Sequence, residues 1–329
     1  MKLSVLVTFY NQEEYVNRAI ESILSQETNF DFEVLIGDDG STDGTREIIQ
    51  KWINRYPNKI KLFTRKRDIN KKYNSGCRAS LNRLNLLRHV KSEYFMFLDG
   101  DDYLCDNYKF EKQITILENP ENKDCVACAH NVLKVYENEG NKREYLILKS
   151  FKEQKIDLET YWEKYYFHPD SIICRSCIID KIPYNELRYF FNDNLITYWM
   201  LQHGKIYYIP DVMANYCQTG NGIWTGQRLL VGVTRNLMAW EIENRLNPNL
   251  KRQCLIRHSY DFDYFYDHRD ELDGNDFKFY IRLARKTGLV QCSKWLSYPR
   301  MNIVQRIEFS VEYFIKKFYL FLYKCKMGC

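Results

Sequence analysis

Three carboxylates, Asp99, Asp101 and Asp102, stand within four positions at the end of an apolar run, in the stretch FMFLDGDDYL. Like charges this close repel, and a turn can be made with Asn, Gly or a single Asp, so something must offset the repulsion. A divalent cation with hard oxygen ligands does so. Mg2+ or Mn2+ held by one or two carboxylates takes its other ligands from water and substrate phosphates, which points to a diphosphate-bearing substrate. An EF-hand loop is excluded, because the sixth position counted from Asp99 is Leu104 rather than Gly and the twelfth is Phe110 rather than Glu. A phosphatase with an Asp nucleophile would place a small β-branched residue where Tyr103 stands. A solvated acidic turn without function is the bland alternative.

A second acidic pair, Asp38 and Asp39 in LIGDDGSTDGT, also leaves an apolar run. Gly40 permits a tight turn there, and Ser41 or Thr42 can cap a following helix. A carboxylate at this position can accept hydrogen bonds from a nucleobase imide or a ribose hydroxyl. A turn plus a helix cap accounts for the same residues, and neither G-x-G-x-x-G nor a Walker pattern is present.

These groups need elements to hold them. Apolar strand runs at LSVLVTF (3–9), FEVLIG (32–37), KIKLFTR (59–65) and YFMFLD (94–99) alternate with helical periodicity in NQEEYVNRAIESILSQ, STDGTREIIQKWINRY and ASLNRLNLLRHV. Asn11 and Glu14 have the spacing of a capping box. Such alternation predicts right-handed βαβ crossovers, an α/β fold and a mostly parallel sheet. Ligands of such sheets sit outside the carboxyl ends of the strands. The three strand ends TFYN, GDDGSTDGT and DGDD therefore belong to one site.

The chain has 329 residues, enough for one large domain or a domain with an appendage. Its 48 basic and 43 acidic residues leave a net +5, too mild to indicate nucleic-acid binding. Eleven scattered cysteines argue for reduced thiols. The pairs Cys125/Cys128 and Cys174/Cys177 are too far apart for a zinc site and lie in strand-like runs, so they read as buried free thiols. No secretory signal pattern opens the sequence, which implies a cytoplasmic protein.

In this order and spacing, SVLVTFYNQEEYVNRAIESILSQ, EVLIGDDGSTDGT and FLDGDD resemble the inverting family 2 glycosyltransferases with a GT-A fold, a Rossmann-like nucleotide-binding sheet with flanking helices. NSGCRASLNR (74–83) is similar to the family's glycine-to-asparagine segment. The resemblance is strong to about residue 120, looser to about 225, and absent beyond. It implies that Thr8, Tyr10, Glu14 and Asp39 contact the nucleotide of a sugar donor, a UDP-sugar first of all. It also implies that Asp99 and Asp101 form the D-x-D of a Mn2+ or Mg2+ site, with Asp101 the direct ligand, Asp99 nearer the ribose and diphosphate, and Asp102 assisting. Where the family often has Ala-Arg-Asn this chain has Ser80-Leu81-Asn82, which leaves the phosphate-facing cation open, with Arg78 a candidate. In FFNDNLITYWMLQHGKIYYIP, Asp193 matches the family's catalytic base, with Asn192 before it. A helix N-cap is the structural alternative for Asp193. YCQTGNGIWTG (216–226) resembles a loop that closes over the diphosphate, with Gln218, Asn221 and Trp224 as contacts. His168 falls on the acceptor side or serves as a structural histidine.

The expected organisation is a glycosyltransferase domain over 1–225, with a nucleotide half (1–120) and an acceptor half (121–225), and a helical region over 226–329. The implied reaction transfers a sugar to a glycan or lipid-linked acceptor in bacterial surface polysaccharide synthesis. A stripe of Ile303, Ile307, Val311, Phe314, Phe318 and Leu322, with lysines near its end, fits a terminal helix over 301–325. That helix either packs on its own domain or lies on a membrane surface, making the protein peripheral. A nucleotidyltransferase and a catalytically silent sugar-binding protein are the alternatives. The first lacks its glycine- and basic-rich loop after the first strand; the second has no use for the metal pair and Asp193 together.

Overall fold

The apolar runs of the first hundred residues form strands β1 (Leu3–Phe9), β2 (Phe32–Asp38), β3 (Ile60–Thr64) and β4 (Tyr94–Asp99), all mutually parallel in the order β3-β2-β1-β4. Helices α1 (Val16–Leu24), α2 (Thr45–Arg55) and α3 (Ser75–Leu87) connect them. Near-continuous apolar sequence is what a sheet covered on both faces requires. Val5, Leu6 and Val7 of β1 are fully buried, each contributing about 1.5–3 kcal/mol. These observations come from a computed structural model, which describes residues 1–67, 73–140, 142–220, 228–272 and 274–326.

The next segment extends the sheet to ten strands. It contributes β5 (Tyr103–Leu104), α4 (Lys109–Glu118), β6 (Cys125–Tyr136), β7 (Lys142–Tyr145), β8 (Gln154–Ile156), α5 (Leu158–Lys164), β9 (Ile173–Arg175), α6 (Tyr184–Leu187), α7 (Asp193–Leu201) and β10 (Lys205–Gln218). β9 runs antiparallel between β4 and β6, and β10 is parallel to β6. The run KIYYIP predicts a strand ending at Pro210, yet β10 continues to Gln218. Its pairing with β6 shifts register between Ile209 and Val212, and an irregularity is where a strand tolerates proline.

Other local expectations also give way. Asn11 does not cap α1, which starts at Val16. It adopts φ +49° and its Oδ1 accepts the Thr42 N–H at 2.8 Å, tying the loop after β1 to the loop after β2. α3 begins at Ser75, earlier than the apolar periodicity indicates, because Asn74 caps it through the Cys77 N–H at 2.9 Å. Cys125, Cys128 and Cys174 are buried free thiols, whereas Cys177 is exposed.

By its contacts the chain divides into Met1–Thr225 and Gly226–Cys329. The second unit is helical: α8 (Leu229–Leu246), α9 (Lys251–Arg257), α10 (Ser259–Asp267), α11 (Asn275–Lys286), α12 (Val290–Trp295) and α13 (Ile303–Lys326). Trp240, Phe262 and Trp295 pack ring on ring at 4.8–5.5 Å in its core. Beside them His258 is buried between Glu243 (3.1 Å) and Asp261 (3.0 Å). No helix among the described residues is long and apolar enough to cross a membrane.

Candidate active site

The carboxyl ends of β1, β2 and β4 carry the three predicted motifs. Parallel register places Thr8 beside Asp99, and the Thr8 hydroxyl donates to Asp99 Oδ1 at 3.2 Å. After β2 the two aspartates divide their work. Asp38 is buried and accepts the N–H groups of Gly40 and Ser41 at 3.1–3.2 Å, holding the turn. Gly40 takes φ +78°, and a Cβ there would meet the Arg65 carbonyl at 3.0 Å. Asp39 instead meets side chains, with Arg65 Nη1 at 3.3 Å and Arg67 Nη2 at 3.0 Å. Burial lifts its carboxyl above the usual range although the arginines oppose the shift. The Arg67 guanidinium also lies over the exposed Tyr10 ring, 3.1 Å from its centroid. Arg78 is half-buried on this same side, its backbone carbonyl accepting from Arg65 Nη1 at 3.2 Å.

The phosphate-side cation named by sequence, Arg78, is not the one at the acidic run. Arg83, one turn further along α3, reaches Asp99 with Nη2 2.7 Å from both carboxylate oxygens. Its Nη1 lies 3.4 Å from Asp193 Oδ1. Burial alone would weaken its hold on the proton; Asp99, Asp193 and Asp170 reverse that and keep it firmly charged. One guanidinium thus joins the D-x-D to the residue expected to act as base. Asn82, the preceding residue, donates to the Gly37 carbonyl at 2.8 Å and fixes α3 against β2.

Asp193 opens α7 at its first helical position, and the cap is Asn192, which accepts the Leu195 N–H at 3.1 Å. Asp193 Oδ2 accepts from the Tyr166 hydroxyl at 2.8 Å. Its carboxylate is therefore held from two sides, by a cation and a phenol.

Beneath the run DGDD, single ligand atoms of Asp99, Asp102, His168 and Asp170 lie within 4.8 Å of one another. Asp170 Oδ1 accepts the Asp99 N–H at 3.2 Å, Asp102 Oδ1 accepts the Cys217 N–H at 2.7 Å, and His168 Nδ1 is 3.1 Å from Asp170 Oδ2. His168 is buried and stacks on Tyr216 at 4.1 Å, so it forms part of the site's floor and does not present an exposed face to an acceptor. Charges here balance internally. Burial opposes an imidazolium, but Asp170 overcomes it and His168 rises to about 9; Asp170 is lowered despite its burial by that imidazolium. Asp102, buried and beside Asp170 and Asp101, is pushed well above the carboxylate range.

Asp101 differs from its neighbours. Among the described residues its carboxylate has no ion pair or hydrogen bond to another residue, although its backbone carbonyl accepts from Arg18 Nη2 at 2.9 Å. Burial first, then the Asp99 charge, lifts it to about 6. A half-buried carboxylate without such a partner, close to the charges of Asp99 and Asp170, is what a divalent cation fits, although Asp101 is not one of the four residues whose ligand atoms cluster beneath it. Gly100 between the two aspartates is required sterically: a Cβ there would overlap the Phe9 ring and come within 2.7 Å of Gln12 Oε1.

Glu14 is exposed in the loop before α1, and the neighbouring Glu13 binds across to the second motif, accepting the Gly44 N–H at 2.6 Å. Gln218 ends β10 beside Tyr216. Trp224 and Asn221, with the rest of 221–227, lie outside the described residues. Sequence reasoning missed Arg83, Tyr166 and Asp170. A usable signal existed for Asp170, since His-Pro-Asp precedes an apolar strand as Asp-Gly-Asp follows one.

Comparison with known proteins agrees with this geometry. Residues 4–182 match Glycosyl transferase family 2. An uncharacterized protein of Mycobacterium tuberculosis is 30% identical over 226 residues, covering 68% of this chain and 60% of the relative. The chain thus spans less than two thirds of that relative's length. The teichoic acid poly(glycerol phosphate) polymerase of Staphylococcus epidermidis is 40% identical over 103 residues, covering 31% of this chain and 13% of that protein. Among solved structures, S. aureus TarS 1-349 in complex with UDP-GlcNAc shares the fold at TM-score 0.61 and 17% identity, over 91% of this chain and 84% of that one. Strand order, strand-end motifs and these matches converge: the chain belongs to Glycosyl transferase family 2 and has the GT-A fold.

Proposed function

We propose that the protein is an inverting, metal-dependent glycosyltransferase. It takes a sugar from a nucleotide diphosphate, UDP first of all, and delivers it to a hydroxyl of a glycan or lipid-linked acceptor in bacterial surface polysaccharide synthesis, on the cytoplasmic side of a membrane. The observation that carries the reading is the Arg83 bridge, which gathers Asp99 and Asp193 at the end of the sheet where ligands of such folds bind. The UDP-GlcNAc named for the TarS complex and the teichoic acid polymerase relative support the donor and product class.

In this reading Tyr10, Thr8, Asp39 and the arginines beside Asp39 receive the nucleotide. Asp39 accepts from an imide N–H or a ribose hydroxyl, and Arg65 or Arg67 donates to a carbonyl of the base. Asp101 and Asp99 hold Mn2+ or Mg2+, and the cation, when bound, offsets negative charge on the departing diphosphate. Asp102, Asp170 and His168 form the buried support that keeps the two carboxylates in place. Asp193 takes the proton of the acceptor hydroxyl, whose oxygen attacks the anomeric carbon as the bond to the β-phosphate breaks. Tyr166 and Arg83 orient the Asp193 carboxylate toward one incoming O–H.

Nucleoside-diphosphate release from a panel of nucleotide sugars, with and without EDTA, tests the proposal. Metal-dependent release from one or a few donors is expected. Release that survives EDTA and Asp101→Ala contradicts the metal site, and absence of any nucleotide-sugar binding contradicts the reading as a whole.

A further inference from the structure

The terminal helix α13 is packed on its own unit along one side only. Phe309 is 4% and Tyr313 9% exposed; both stack on Tyr266, at 5.8 and 3.8 Å. On that same side Lys316 pairs with Glu312 at 2.6 Å and lies over the Trp295 ring at 4.7 Å, while Lys317 meets Asp263 at 3.2 Å. The remaining surface is apolar and open. Ile307, Val311, Phe314, Phe318, Tyr319 and Phe321 are each 52–61% exposed, against at most 9% for the two inward rings.

At 3.6 residues per turn the exposed apolar positions from Ile303 to Leu322 cover an arc of about 160°, bounded by Phe321 and Tyr319. Glu308 is the one described charged side chain within it. That width discriminates between occupants. A coiled-coil seam with a second copy needs two positions in seven, a narrower stripe, whereas an interfacial helix immerses a broad apolar face and keeps its charges behind it. Charge points the same way. From residue 226 onward the sequence holds 18 Lys and Arg against 11 Asp and Glu, a net +7 in a chain whose total is +5. Two such units side by side repel, while an anionic surface attracts them.

We propose that the outer face of α13 docks on a membrane surface rich in anionic lipid, with Phe314, Phe318 and Phe321 immersed at the acyl boundary and the positive charge of the helical unit meeting the headgroups. The docking is peripheral, since the helix carries too many charges to span. It stands on the helix alone and is independent of the transfer reaction proposed above.

Co-sedimentation of the full chain with phosphatidylglycerol-containing vesicles tests it, with pure phosphatidylcholine vesicles as the comparison. Binding is expected to phosphatidylglycerol vesicles, to weaken with salt, and to fall on the order of tenfold or more in a Phe318→Glu/Phe321→Glu variant. Both residues are exposed, so circular dichroism and thermal midpoint should match the wild type. Failure of the wild type to bind, or undiminished binding by the variant, overturns the proposal. So does a wild-type dimer in light scattering that the variant converts to monomer while vesicle binding is absent, which assigns the face to a second copy.

Discussion

Arg83 is the residue on which the chemistry of the site converges, and its role follows from its shape. A planar guanidinium can hold Asp99 through one nitrogen and approach Asp193 with another; a lysine ammonium is a point charge that cannot keep both. Arg83→Lys is therefore expected to lower kcat roughly 10- to 100-fold, with the donor KM changing much less, because Asp193 and Asp99, the proposed base and metal ligand, lose their common anchor. Steady-state kinetics with the preferred donor checks this; an unchanged kcat removes Arg83 from the mechanism. Arg83 was not legible in the sequence. It sits 16 residues from Asp99 and 110 from Asp193, and nothing local marks a helix arginine as the meeting point of two distant carboxylates. The acidic run itself was legible, because its oddity is local: three like charges following a buried strand.

At the scale of elements, alternation of apolar runs and helical periodicity was enough to read β1 to β4 and a mostly parallel sheet, though not the strand order, since a buried parallel strand has few sequence alternatives. The second half was less legible. Its short β8 and β9 and the irregular β10 are defined by pairing partners far along the chain. One buried group in α4 yields a stability prediction. Lys109 is fully buried, with Gln113 Oε1 at 2.6 Å and Met96 Sδ at 3.8 Å as its contacts, and burial lowers its ammonium to about 7. A depressed lysine costs stability increasingly as pH falls below its unfolded value. Lys109→Met, nearly equal in volume, should raise the urea midpoint at pH 6 by an amount equivalent to about 1–3 kcal/mol, and by less at pH 10. A lower midpoint would show that the ammonium is needed for packing.

In the helical unit the sign is opposite. Burial disfavours a charged His258, but Glu243 and Asp261 outweigh it and raise the imidazole to about 9. The stabilisation is fully present below the unfolded value near 6.5 and is lost as pH rises through about 9. The difference in stability between wild type and His258→Gln should thus shrink from pH 6 to pH 9.5, from an upper bound of about 3 kcal/mol. Chemical denaturation at the two pH values measures it, and a pH-independent difference would contradict a charged His258.

For the molecule as a whole, charge and chemistry are divided. The first unit carries the acidic strand ends and slightly more acidic than basic residues; the second carries the positive excess and the open face of α13. The family was legible from three strand-end motifs in register, whereas the openness of α13 was not. A periodic stripe in sequence is equally compatible with packing on the protein, and only the structure shows Phe309 and Tyr313 spent on that task while Phe318 and Phe321 remain outside. The surroundings of Asp39 sit between these cases, since the strand-end carboxylate was legible but its arginine neighbours come from a separate strand end. Asp193 is the group proposed to take the acceptor proton. The most direct test compares wild type and Asp193→Asn by calorimetric titration of the donor and by transfer to acceptor under the same metal concentration. Donor affinity within about threefold and transfer reduced by roughly 10²- to 10⁴-fold is the predicted result; transfer at the wild-type rate in Asp193→Asn would contradict it.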